Sequence, residues 1–222
     1  MTETLEIFRN ETTVLQNIEL VRSLIENQKS GFAPGQSLYE LYYLCLGTSI
    51  SRNFNLDIAE VGVYSGGSAS LINRMKNSNQ KLYLIDTFEG LKDCQEQDQG
   101  GQVWNGLANS LKELNVTFED VKSRFDGENV EFIKGYFPEC APAEFENKTF
   151  GFVHLDVDTY LSTLNCLNYF YPKMIDGGVI VVHDYTNEHT PGVSKSVDEF
   201  VQATGAGIMI PRVGTTQAII FK

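Results

Sequence analysis

The chain has 222 residues, 42% of them hydrophobic and 21% charged, and a formal net charge of -12. That length suits one α/β domain with a sizeable core. The acidity disfavours nucleic acid, whose binding needs a basic footprint, and equally disfavours anionic membrane surfaces. No run approaches the roughly 18 consecutive apolar residues of a membrane span. The opening MTETLEIFRNETT lacks the basic and apolar regions of a signal peptide, so a cytoplasmic setting is expected. Cys45, Cys94, Cys140 and Cys166 form no CxxC pair and are expected as free thiols.

In chain order, residues 11–30 carry Val14, Ile18, Val21 and Ile25 at helical spacing. SGFAPGQS breaks the pattern, and LYELYYLCLGTSI then predicts a second, buried helix. Residues 1–50 are thus an expected N-terminal helical cap. From Asp57 onward the pattern alternates strand, loop and helix. DIAEVGVY is a short strand, followed by glycines and a helix over SASLINRMKNS. KLYLIDTF is a second strand. Residues 89–105 have no periodicity and predict a mobile loop. NGLANSLKELNV and FEDVKSRF look helical, and NVEFIKGYF, FGFVHLDVD and GGVIVVHDY are three further strands. Helices are expected between the last two and over GVSKSVDEFVQAT. IMIPRV and TTQAIIFK complete the chain as a strand pair around Gly214.

Such alternation predicts a mostly parallel sheet with helices on both faces and a C-terminal antiparallel hairpin. Ligands of such sheets sit beyond the carboxyl ends of the strands, where strand order reverses. The chemistry-bearing residues lie at those ends. Gly62, Gly66 and Gly67 in EVGVYSGGSAS let a backbone approach a ligand, and Ser68 is a candidate helix cap. The spacing fits neither GxGxxG nor a P-loop, which weighs against a nicotinamide-dependent oxidoreductase. The bland alternative is a tight turn that binds nothing. Asp86, about twenty residues on, stands where these folds hold ribose hydroxyls; a solvated carboxylate is the alternative.

Asp156, Asp158, His183 and Asp184 form a candidate metal cluster, with strand-end caps and salt bridges as the alternative. If the strand persists, Asp156 and Asp158 share a face, with Val157 opposite. His154 is expected in the core and His189 in a solvated turn. Trp104 either lines a substrate mouth or anchors the loop.

AEVGVYSGGSAS, LYLIDTFEGL, FIKGYFP, HLDVDTYLSTLNCLNYFYPKMIDGGVIVVHDY and VDEF, in this order, resemble the macrocin O-methyltransferase (TylF-like) family over residues 58–200. The resemblance implies a Rossmann-like class I methyltransferase fold over residues 57–222 and a metal-assisted O-methyltransferase using S-adenosylmethionine. It implies a saccharide or sugar-containing natural product as acceptor. A catechol-like or polysaccharide acceptor, and a non-catalytic nucleotide-binding protein, are the alternatives. Glu60, Gly62, Val63, Tyr64, Gly66, Gly67 and Ser68 match the segment that holds the cofactor's methionine end. Asp86 matches the ribose ligand, with Thr87 and Phe88 beside the adenosine and Gly135 and Tyr136 near the adenine. Asp156 matches a metal ligand at the cofactor's edge, and Asp158 the general base. The family's Asp-Asp-Tyr is here His183-Asp184-Tyr185. That leaves His183 as ligand or rival base, and leaves magnesium, manganese, iron and zinc as candidate ions. Members are often dimers or larger, so a homo-oligomer is an expectation.

Overall fold

A computed structural model describes residues 36–91, 94–101, 116–125 and 129–222. The expected helix over 11–30, Trp104 and nearly all of NGLANSLKELNV lie outside these residues. The first described helix, α1, runs Leu38–Phe54. Its start is fixed by a reciprocal cap. The Ser37 hydroxyl accepts from the Glu40 amide, and the Ser37 amide donates to the Glu40 carboxylate at 2.7 Å. Its end is Asn55, in the left-handed conformation that lets the last amide turn back onto Ser51 and Arg52.

There follow β1 (Asp57–Val61), α2 (Gly67–Met75), β2 (Leu82–Asp86), α3 (Phe118–Lys122), β3 (Val130–Lys134), β4 (Phe150–Leu155), α4 (Tyr160–Phe170), β5 (Met174–Val182), α5 (Pro191–Thr204), β6 (Gly207–Met209) and β7 (Ala218–Phe221). The seven strands form one sheet in the order β3-β2-β1-β4-β5-β7-β6. The first five pair in parallel, and β7 runs antiparallel to both β5 and β6. This is the expected architecture. The chain builds outward from β1 to β3 and then crosses to β4, so the order reverses between β1 and β4. A crevice opens there because the crossovers leave on opposite faces.

Burial on both faces explains the apolar strands. Ile58, Leu82, Leu84, Phe152 and Val181 pack beneath α1 and α2. Ala59, Tyr83, Phe150, Val153 and Ile180 pack against Leu167, Phe170, Val197 and Phe200 of α4 and α5. The second core holds an aromatic knot. The Phe145 ring meets Tyr83 at 4.8 Å and Phe150 at 5.1 Å, edge to face. Such pairs add about 0.5–1.5 kcal/mol beyond their area.

Two sequence expectations are corrected. β4 ends at Leu155 and Asp158 adopts φ 60°, so Asp156 and Asp158 do not share a strand face. The fifth strand starts at Met174 rather than Gly177, because the short 3₁₀ turn Tyr171–Lys173 closes α4 and feeds the sheet directly. The stretch expected as a mobile loop carries a 3₁₀ turn at Glu96–Asp98. Its Asp98 is buried and accepts from the Tyr160 amide at 2.8 Å, which ties residues 94–101 to the start of α4.

Gly151 sits where β4 passes under α1, at a shift in strand register. A Cβ there would lie 2.5 Å from Ser51 Oγ and 2.8 Å from Ser51 Cα. Gly151→Ala is therefore expected to lower stability by about 1–3 kcal/mol through overpacking, read as a reduced urea midpoint at unchanged slope.

Candidate functional site

A cavity of about 350 Å³ opens at the carboxyl ends of β1, β2, β4 and β5. The backbone makes it. Tyr64, Phe88, Asp158 and Asp184, each just past one of these strand ends, take positive φ values of 49–63°. Non-glycine residues adopt this region only where the surroundings impose it, and such positions gather at functional sites. Gly62 has φ 89°, and a Cβ there would lie 1.8 Å from the Asp156 carbonyl oxygen. Only glycine lets the turn after β1 pass so close to the end of β4.

The cavity is lined by Gly62, Val63, Tyr64, Gly67, Ser68, Asp86 and Thr87 on one side, and by Gly135 and Tyr136 next to them. Asp156, Asp158, His183 and Asp184 line its other end. All thirteen are expected site residues, and one cavity brings them together. Asp86 does more than line it. One carboxylate oxygen accepts from the Val63 and Tyr64 amides at 2.7 and 2.8 Å, and the other from the Phe88 amide at 2.7 Å. The side chain thus pins the glycine turn to β2, and its remaining lone pairs are available to a ligand.

Three expected residues lie elsewhere. Glu60 faces the α1–α2 side of the sheet, fully buried, 2.7 Å from His154 Nδ1. Strand alternation sends it into the core, two residues short of the turn, and gives the buried His154 its partner. Phe88 packs into the core against Phe118 and Phe132 at 4.7 and 6.3 Å. Gly66 is the cap of α2, taking the place expected of Ser68, and its α-carbon faces the Phe125 ring. Ser68 falls inside the first turn, where it still lines the cavity. A helix start with three amide donors and no side-chain cap favours an anionic group.

The other end of the cavity is dense in charge. His183 Nδ1 lies 3.2 Å from an oxygen of Asp156 and 3.2 Å from an oxygen of Asp184. Its Nε2 lies 3.6 Å from Glu40 Oε1. Ligand atoms of Asp156, His183 and Asp184 all fall within 4.8 Å of one another. Both imidazole nitrogens are buried, and neither makes a well-formed hydrogen bond. Donors gathered this closely, with buried nitrogens left over, fit a divalent cation.

Burial opposes a charge on His183, but the carboxylates of Asp156, Asp184 and Glu40 close around the ring outweigh it and raise the pKa far above 6.5. Burial likewise opposes ionisation of Asp184, yet His183, Asn187 and Asp158 hold its pKa down. The Glu40 carboxyl meets the same opposition from burial and is pulled down to about 2 by His183 and by hydrogen bonds to Thr216 and Ser37.

Sequence reasoning missed Gln36 and Glu40. Gln36 Nε2 donates to Asp156 Oδ2 at 3.0 Å. The Ser37-x-x-Glu40 pattern is a legible capping box, but nothing in it tells that the same carboxylate faces His183 across more than 140 positions of sequence.

Residues 37–220 match the model of the macrocin-O-methyltransferase (TylF) family, and the chain belongs to that family. It is 28% identical over 165 residues to demethyldecarbamoylnovobiocin O-methyltransferase of Streptomyces niveus, covering 70% of this chain and 62% of that protein. It is 24% identical over 150 residues to 8-demethyl-8-(2,3-dimethoxy-α-L-rhamnosyl)-tetracenomycin-C 4'-O-methyltransferase of Streptomyces olivaceus, covering 64% and 57%. The matched segment is thus under two thirds of each relative's length. The calicheamicin methyltransferase CalS11 has the same fold, with a TM-score of 0.69 at 16% identity over 96% of this chain and 92% of that one.

The depressed Glu40 carboxyl makes acid stability testable. Its folded pKa of about 2 lies below the ordinary 4.5, so its contribution is complete above 4.5 and is lost as pH falls towards 2. Metal-free wild type should exceed Glu40→Gln by about 1–3 kcal/mol at pH 6, and the gap should narrow below about pH 4.5 and close only at about pH 2 and below in urea titrations.

Proposed function

We propose that this member of the macrocin O-methyltransferase family transfers a methyl group from S-adenosylmethionine to a hydroxyl of a sugar or sugar-containing small molecule, assisted by a divalent metal. The observation that carries the proposal is that one cavity joins the glycine turn of β1 to the Asp156–His183–Asp184 trio. The named activities of the Streptomyces relatives support the reaction class, and the rhamnosyl acceptor of one of them supports the saccharide.

The cofactor supplies an electrophilic methyl group on a sulfonium centre. The Gly62–Ser68 turn and the amino end of α2 would hold its carboxylate, since amide donors and the positive end of the helix favour an anion. Asp86, already oriented by three amides, would accept from the ribose hydroxyls. Tyr136 and Ser162, 3.0 Å apart, would close the adenine side.

The metal, held by Asp156, His183 and Asp184, would supply a Lewis acid that lowers the acceptor hydroxyl's pKa. Asp158, at the same end of the cavity, would take the proton on its carboxylate. His183 serves as ligand rather than base, because its nitrogens already lie against carboxylates. Alignment of acceptor oxygen with the methyl group is worth several kcal/mol of barrier, up to roughly 7–11 in well-oriented cases.

Calorimetric titration with S-adenosylmethionine tests the cofactor. One-to-one binding in the micromolar range is expected, and Gly62→Ala should abolish it because the new Cβ drives the turn off Asp156. Absence of binding at millimolar ligand by a folded protein would sink the proposal. With a rhamnoside acceptor, Asp158→Asn should lower kcat about 10²–10⁴-fold with little change in cofactor affinity.

A further inference from the structure

Glu40 belongs to none of the elements that carry the cavity. It sits in the first turn of α1, only 6% exposed, with its carboxylate fixed from three directions. Oε2 accepts from the Ser37 amide at 2.7 Å. Oε1 accepts from the Thr216 amide at 2.8 Å and the Thr216 hydroxyl at 2.9 Å, and faces His183 Nε2 at 3.6 Å. The His183 ring therefore has two distinct edges. Nδ1 looks towards Asp156 and Asp184, and Nε2 looks the opposite way, towards a buried carboxylate that has no route to another imidazole among the described residues.

We propose that Glu40 is the positioning residue that commits His183 to binding metal through Nδ1, and that the resulting nitrogen donor makes the site select a first-row transition ion over magnesium. This rests on the metal reading of the proposed function and deepens it.

The chemistry follows from the two edges. A neutral imidazole that gives the Nδ1 lone pair to a metal must carry its proton on Nε2. That proton is buried and needs an acceptor, and Glu40 Oε1 is the acceptor at hand. A carboxylate behind a ligating histidine fixes its tautomer and ring angle and raises its basicity. Magnesium favours an all-oxygen octahedron and keeps several waters, whereas imidazole suits softer first-row ions. Two carboxylates and one buttressed imidazole are a mixed oxygen and nitrogen set. Glu40 is itself immobilised by Ser37 and Thr216, so the support does not have to be ordered when the ion arrives.

A double-mutant cycle tests this with cobalt(II) and magnesium as probes, each titrated calorimetrically into chelator-treated, dialysed protein. The four proteins are wild type, Glu40→Gln, His183→Asp and the double variant, with thermal midpoints recorded in chelator for each. Wild type should bind cobalt at least tenfold more tightly than magnesium. Glu40→Gln should weaken cobalt about 10–100-fold. In the His183→Asp background, where no imidazole remains to be positioned, the same change should cost less than threefold, and the cobalt preference should shrink. In cobalt-loaded wild type, nitrogen NMR of the paramagnetically shifted His183 ring should show an exchangeable proton on Nε2 alone. Should His183→Asp not fold, His183→Asn takes its place in the cycle.

An equal loss in both histidine backgrounds would make Glu40 a purely structural residue and overturn the inference, as would no loss in either. If neither ion binds wild type, this inference and the metal of the proposed function both fall. Titration of S-adenosylhomocysteine into the same samples shows separately whether the cofactor reading stands.

Discussion

Three carboxylates, from Glu40, Asp156 and Asp184, lie within 3.6 Å of one imidazole ring. In a mostly buried setting that concentration of negative charge is costly unless something positive compensates it. The other features of the site are consistent with meeting that constraint. The strands converge on it, α1 delivers Glu40 to it, and the connection between β6 and β7 brings Thr216 against Glu40 and Asp184. The terminal hairpin, which looks like mere closure of the sheet edge, thereby braces Glu40 and Asp184 at the end of the neighbouring strand β5.

The second organising contact is steric. The turn after β1 runs so close to the Asp156 carbonyl that only a residue without a side chain fits at Gly62. This approach defines the floor of the cavity at the point where strand order reverses. Asp86 holds the turn from the other side by accepting from two of its amides. The turn is therefore preorganised by a backbone contact on β4 and a carboxylate on β2. A preformed site of this kind binds with less loss of freedom than one that has to be assembled.

A third tie lies at the helix starts. Asp98 reaches the Tyr160 amide, and Lys195 Nζ donates to the Gln97 carbonyl at 2.7 Å. The stretch after β2 is thus bound to both α4 and α5. Its aperiodic, polar sequence gives no sign of these two contacts, because ties made by a buried carboxylate and a lysine leave no periodic trace. Glu60 is the converse case. The family resemblance implies a cofactor contact for it, yet the two-residue period of β1 sends it to the core, where His154 meets it.

The sequence by itself determined the element order, the parallel sheet, the glycine turn and a candidate cluster of Asp156, Asp158, His183 and Asp184, of which the structure gathers Asp156, His183 and Asp184, because those follow from local periodicity and from ligand-type residues at strand ends. It also placed His154 in the core. Only the tertiary structure decided that Asp158 departs from the strand, that Phe88 packs inward, and that Glu40 and Gln36 stand over the metal-type residues. Those outcomes depend on where separate segments cross in space. A one-residue change in where β4 stops redirects a carboxylate, and a helix capped near residue 37 meets a strand ending near residue 183 through packing alone.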